Sequence, residues 1–146
     1  MQEYKRTNVY ETADEKTLKA IFEYAEGYKK FITDCKTERE ACDHIVALAE
    51  KNGYKPFNYG ADMKAGDKFY LNNRGKAVFL IKIGKNDIAK DGIRIVGAHI
   101  DNPRLDLKQV PLYENDGVAF FKTHYYGGIR KYQWTAIPLA LHGVIA

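Results

Sequence analysis

His99-Ile100-Asp101-Asn102-Pro103 follows directly on the apolar run Ile93-Arg94-Ile95-Val96-Gly97-Ala98. That run predicts a short central strand of an α/β sheet, and in extended backbone positions i and i+2 point the same way. His99 and Asp101 therefore share one face at the carboxyl edge of the predicted strand, where α/β folds place their sites. A neutral imidazole nitrogen is a good zinc ligand, and a nearby carboxylate fixes the ring or raises its basicity. On spacing alone two readings stay open: a metal ligand backed by its carboxylate, and a histidine satisfied by its own loop.

The other reactive side chains give weaker signals. His44 follows Asp43 on the exposed side of a predicted helix, and His142 lies in an apolar stretch, so both read as surface or packing residues. Cys35 and Cys42 stand seven apart with no Cys-x-x-Cys and read as reduced thiols. Between His124 and Trp134, Tyr125, Tyr126, Tyr132 and Trp134 interleave with Arg130 and Lys131. Such a pattern could stack on single-stranded nucleic acid, but aromatic strand packing explains it better. Gly127-Gly128 lacks the Lys-Ser or Lys-Thr ending of a phosphate loop and reads as a turn or a close strand approach.

The elements that must position these residues are legible from periodicity. Leu18, Ile21, Phe22, Ala25, Tyr28 and Ile32 recur at helical steps, which predicts a helix from Ala13 to Phe31 with Thr12 and Glu15 in capping-box spacing. A second helix opens on the Thr37-x-x-Glu40 box, carries Ala41, Ile45, Leu48 and Ala49 as its stripe, and stops at Asn52-Gly53. Lys68 to Leu71 and Lys76 to Ile83, joined by Asn72-Asn73-Arg74-Gly75, read as a hairpin whose second arm is a buried apolar run. A polar connection spans Gly84 to Gly92. Val118 to Thr123 and Gly128 to Ala146 read as strands of an all-β unit.

Composition sets the outer bounds. The 146 residues are 45% hydrophobic and 29% charged, which excludes a disordered chain or a disulfide scaffold. A net charge of +4, spread along the chain, is too mild to argue for nucleic acid. No apolar run approaches the roughly 18 residues of a membrane span, and no secretory signal core opens the sequence. The expectation is a cytoplasmic protein with no membrane partner. The sequence halts inside the apolar segment Leu139 to Ala146, which leaves two readings open: a complete small protein with a strand-like terminus, and the N-terminal piece of something longer.

Three blocks then carry a family resemblance. They are Val96-Gly97-Ala98-His99-Ile100-Asp101-Asn102-Pro103-Arg104-Leu105-Asp106-Leu107-Lys108, Pro111-Leu112-Tyr113-Glu114, and Phe121 through Trp134 with Thr123-His124-Tyr125-Tyr126-Gly127-Gly128 inside it. With the Asn73-Arg74-Gly75-Lys76 turn and the Lys36-Thr37-Glu38-Arg39 helix start, they resemble the N-terminal portion of the M18 metallo-aminopeptidases, the aspartyl aminopeptidase family, in its bacterial branch. The resemblance covers nearly the whole chain.

What it implies is a zinc-dependent exopeptidase that removes N-terminal residues, acidic ones in several members, at a two-metal centre, with cobalt and manganese as alternative ions. In the family the histidine of the Ala-His-x-Asp motif is a metal ligand, which carries onto His99. The aspartate two residues on is catalytic through its support of that ligand, which carries onto Asp101. The family usually has Ser and often Thr where this chain has Asn102 and Ile100; neither position supplies a ligand. The family's other ligands, a bridging Asp, a Glu pair, a further Asp and a closing His, lie beyond these motifs.

The resemblance further implies an α/β fold. Residues 1–108 would be the first part of a zinc-exopeptidase-like α/β/α catalytic domain and 109–146 the truncated start of an inserted β domain that serves dimer contacts. His124 would then be structural or interfacial. Peptides are the implied substrates, a homo-oligomer the implied assembly, and the isolated chain is expected to be inactive. The alternative from another class is a non-catalytic interaction or oligomerisation module derived from the family.

Overall fold

The computed structural model describes residues 6–145, and these fall into two compact units, one up to Cys35 and one from Lys36 onward. In the first unit a single turn, α1 (Val9–Thr12), precedes the long helix α2 (Glu15–Asp34). The start of α2 differs from the sequence expectation. Thr12 already belongs to α1, and Ala13 and Asp14 take extended backbone between the two helices. Asp14 is therefore the cap, its carboxylate accepting from the Thr17 N–H at 2.8 Å. That bond holds the Asp14 carboxyl below the usual carboxylate range. Leu18, Ile21 and Ala25 of the expected stripe are half-buried, while Phe22 and Tyr28 are exposed.

The second unit opens on α3 (Glu38–Lys51) with the expected capping box complete. Thr37 Oγ1 accepts from the Glu40 N–H at 3.3 Å, and Glu40 Oε2 accepts from the Thr37 and Lys36 N–H groups at 2.9 and 2.8 Å. Asn52 and Gly53 end the helix, Gly53 with φ of +78°, a value that favours a residue without Cβ. The buried face consists of small residues, Ala41, Cys42 and Ala49, and Cys42 is wholly enclosed at 0% exposure. Small side chains let the helix approach a sheet closely. Leu48, expected in the stripe, points outward, and His44, expected on the exposed side, is half-buried.

The sheet beside α3 has the order β1 (Lys55–Pro56), β2 (Lys68–Asn73), β3 (Ala77–Lys82), with β1 parallel and β3 antiparallel to β2. The β2–β3 register closes on Asn73 opposite Ala77, and of the three residues between, Arg74 and Gly75 have φ of +61° and +66°. Two successive positive φ values mark a primed turn, closed by the Lys76 N–H donating to the Asn73 carbonyl at 3.1 Å. Side chains at both ends tie α3 to the hairpin. Tyr70 Oη donates to Glu50 at 2.7 Å, and Lys68 Nζ donates to the Asn52 carbonyl at 3.1 Å. Lys76 faces Glu38 at 3.7 Å. The apolar arm of β3 is less covered than expected: Phe79 and Leu80 are half-exposed, since β3 is an edge strand of this sheet. The polar connection after it contains one helical turn, α4 (Ile88–Asp91), capped by Asp87.

The predicted central strand Ile93–Ala98 is not formed: residues 92–103 have no ladder partner among the described residues. Ile95 and Val96 are 79% and 100% exposed. A central strand takes its hydrogen bonds from neighbours on both sides, and neither sheet of this chain flanks the segment.

The last elements are the long strands β4 (Arg104–Asn115) and β5 (Val118–Tyr126), an antiparallel pair. Asp116 and Gly117, with φ of +52° and +75°, form their turn. Between the Leu107/Thr123 and Leu112/Phe121 rungs the register shifts, so that β4 carries extra residues around Pro111. Val110 takes φ of +48° there, a strained setting for a β-branched residue. Proline has no N–H for a ladder, and such a bulge accommodates it. The expected strands from Gly128 on are absent: residues 128–145 contain only a 3-10 turn at Lys131–Gln133, and Ala146 lies outside the described residues. The fold is thus mixed α/β, with one helix-covered sheet and one separate hairpin.

His142 lies at the surface, one of the two roles expected of it, and there it has a partner. Its Nδ1 lies 2.7 Å from Glu40 Oε1, so the carboxylate that closes the α3 capping box also holds a residue 102 positions away. Contact with His142, then the Lys36 and Thr37 N–H groups, brings the Glu40 carboxyl down from 4.5 to about 2. The folded value lies below the unfolded one, so this stabilisation is complete above about pH 4.5 and disappears as the pH falls toward 2. The urea midpoint of the chain is expected to fall across that window, and Glu40→Gln to flatten the fall. Parallel pH profiles for the two proteins would refute the assignment.

Candidate functional site

His99 and Asp101 meet as their spacing predicts, although in a loop and not at the end of a strand. His99 Nδ1 lies 3.1 Å from the Asp101 carbonyl oxygen and 3.3 Å from Asp101 Oδ1. Two oxygen acceptors facing one ring nitrogen favour a proton on it, and in the neutral ring that leaves Nε2 with its lone pair. The His99 side chain is 84% exposed, so that nitrogen is open to an incoming ligand.

The other Asp101 oxygen is held from β5. Tyr126 Oη donates to Asp101 Oδ2 at 2.5 Å, within the short range of charge-assisted O–H···O⁻ bonds. This bond, ahead of the backbone and His99, keeps the Asp101 carboxyl below the usual carboxylate range and pushes the Tyr126 phenol up. Behind Tyr126 sits Arg104. Its guanidinium lies 4.1 Å from the centre of the Tyr126 ring, donates from Nε to Asp106 Oδ1 at 2.7 Å, and reaches the Asn102 carbonyl from Nη1 at 3.3 Å.

The β4–β5 register explains this arrangement. Arg104 pairs directly with Tyr126 and Asp106 with His124, and directly opposed residues project to the same face. Gly127 continues the approach: with φ of +80°, a Cβ there would stand 3.2 Å from Pro103 Cα. Gly127 is therefore the close approach anticipated for Gly127-Gly128, and it brings the end of β5 against the His99–Pro103 loop.

The remaining candidates stay apart from His99. His124 stacks on Tyr125 with ring centres 5.2 Å apart, and His142 is held at Glu40. Cys35 and Cys42 are both buried, and burial pushes the Cys42 thiol up. Among the described residues no group of three or more His, Cys, Asp or Glu side chains could hold a metal ion. The donor chemistry fits one zinc ligand, His99 Nε2, with Asp101 behind it, whereas a zinc site takes three or four. Sequence reasoning missed Tyr126 and Arg104 as members of this cluster. Tyr126 stands 25 residues from Asp101, and its neighbours Tyr125 and Tyr132 offer the same side chain.

Comparison with known proteins supplies the rest. Residues 31–146 match the family model described as aminopeptidase I zinc metalloprotease (M18). A probable M18 family aminopeptidase 1 of Clostridium acetobutylicum is 50% identical over 99% of this chain, and one from Borrelia garinii is 40% identical over 97%. The chain spans about 31% of the length of these relatives. Among solved structures, aminopeptidase I of Borrelia burgdorferi superposes with a TM-score of 0.82 at 40% identity, covering 88% of this chain and 31% of that one. An M18 aminopeptidase of Thermotoga maritima gives 0.80 at 38% identity, covering 93% and 29%.

Proposed function

Since this chain belongs to the M18 family of zinc metalloproteases and corresponds to the N-terminal portion of its members, we propose that it is the part of an aminopeptidase that supplies one ligand, His99, to a two-zinc centre. The observation that carries this reading is the His99–Asp101 pair: Nδ1 engaged by Asp101 and Nε2 left open to solvent. When bound, two zinc ions would acidify a water and polarise the scissile carbonyl. Asp101 orients the imidazole and favours the tautomer that presents Nε2, and so acts on the reaction through His99. The relatives' names, all aminopeptidases, support hydrolysis of N-terminal residues from peptides, and the family resemblance supports a preference for acidic ones.

In this reading residues 1–108 belong to the catalytic domain and 109–146 begin an inserted β domain, whose first hairpin is β4–β5. The whole protein is then a cytoplasmic homo-oligomer. A site with one ligand from this chain draws the others from the remaining length of the protein. The 146-residue chain, incubated with zinc or cobalt and an aspartyl or glutamyl chromogenic substrate, is expected to show no turnover. A full-length protein carrying it is expected to release the chromophore in a chelator-sensitive manner. Turnover by the chain at the full-length rate, or no chelator-sensitive activity in the full-length protein, overturns the proposal.

A further inference from the structure

We infer that Tyr126 is a positioning residue for His99, acting through Asp101. This inference rests on the reading of His99 as a metal ligand and extends it to a side chain on the neighbouring β unit.

Both acceptors that face His99 Nδ1 belong to Asp101, its carbonyl oxygen at 3.1 Å and Oδ1 at 3.3 Å. Whatever fixes Asp101 therefore fixes the ring. Asp101 lies in a segment without a ladder, where the backbone alone restrains it little. Its restraint from the side is Tyr126, whose hydroxyl donates to Oδ2 at 2.5 Å, leaving Oδ1 turned toward His99. Tyr126 in turn is held three ways. It is the terminal residue of β5, it pairs in register with Arg104, and its ring is covered by the Arg104 guanidinium at 4.1 Å. Arg104 is itself anchored on Asp106 and on the carbonyl of Asn102, the residue after Asp101. The chain of contacts runs from the rigid ladder, through the phenol and the carboxylate, to the imidazole. A phenol suits this position because it donates one hydrogen bond from a stiff ring with few rotamers.

The test is the tautomer of His99 in the metal-free, 15N-labelled chain, read from long-range proton–nitrogen correlations with the ring neutral and assigned by difference with His99→Gln. In the unaltered chain the Nδ1–H form is expected to predominate. Tyr126→Phe, which keeps the ring and removes the donor, is expected to lower the ratio of Nδ1–H to Nε2–H by about twofold or more, in the same direction as Asp101→Ala. Tyr125→Phe, whose ring stacks on His124, serves as the control and should leave the ratio unchanged. Backbone amide spectra of Tyr126→Phe confirm that the ladder persists. A ratio in Tyr126→Phe equal to that of the unaltered chain overturns the inference. Zinc content of a full-length protein carrying His99→Ala separately decides whether His99 binds metal, so failure of the metal reading and failure of the positioning role give different results.

Discussion

In a full-length protein carrying this chain, His99→Ala is expected to lower kcat/KM for an aminoacyl chromogenic substrate by about a thousandfold or more. A metal that polarises a carbonyl contributes several kcal/mol to the transition state, and roughly 1.4 kcal/mol corresponds to a factor of ten. Removing a ligand forfeits most of that. Asp101→Asn keeps the ligand and alters only what holds it, so its expected loss is about 10- to 100-fold. The two variants separate by metal content: His99→Ala should purify with less bound zinc than Asp101→Asn. A His99→Ala protein with full zinc occupancy and unaltered kcat/KM would show that His99 is a loop histidine satisfied by Asp101 and nothing more.

The second large effect concerns stability. Cys42→Asp is expected to destabilise the chain by about 3 kcal/mol or more, because it puts an unpaired carboxylate at a position with 0% exposure. Ala41 and Ala49 beside it on α3 are also buried, and no buried polar or charged side chain is present among the described residues to receive it. Cys42→Ala removes only a sulfur and should cost about 1 kcal/mol. Urea midpoints of the three proteins decide this. A Cys42→Asp midpoint equal to that of Cys42→Ala would mean that the α3 face is not a core.

The sequence disclosed those parts of the molecule whose causes are local. The Thr37–Glu40 box, the Asn52-Gly53 stop and the hairpin through Arg74-Gly75 each depend on residues within a few positions of one another, and each is found where the pattern puts it. Failures came where partners are distant. Ile93–Ala98 has the composition of a central strand, but a strand needs neighbours, and none among the described residues pairs with it. Asp14 displaced Thr12 as the cap because α1 claimed Thr12 first, a competition invisible to a single spacing rule. The site divides along the same line. His99 and Asp101, two residues apart, were legible, and their tie to Tyr126 was not, since it exists only through the β4–β5 register.

That register has an entropic consequence for the Tyr126–Asp101 bond. Joining two groups 25 residues apart in a free chain costs loop-closure entropy that grows with the logarithm of the separation. Here the turn at Asp116-Gly117 and the ladder have already closed the loop for their own reasons, down to the rung of Arg104 and Tyr126. Asp101, three residues before Arg104, meets the phenol as a near neighbour at high effective concentration. A contact that looks long-range along the sequence is therefore local on the scaffold, and a single hydroxyl suffices to hold the carboxylate.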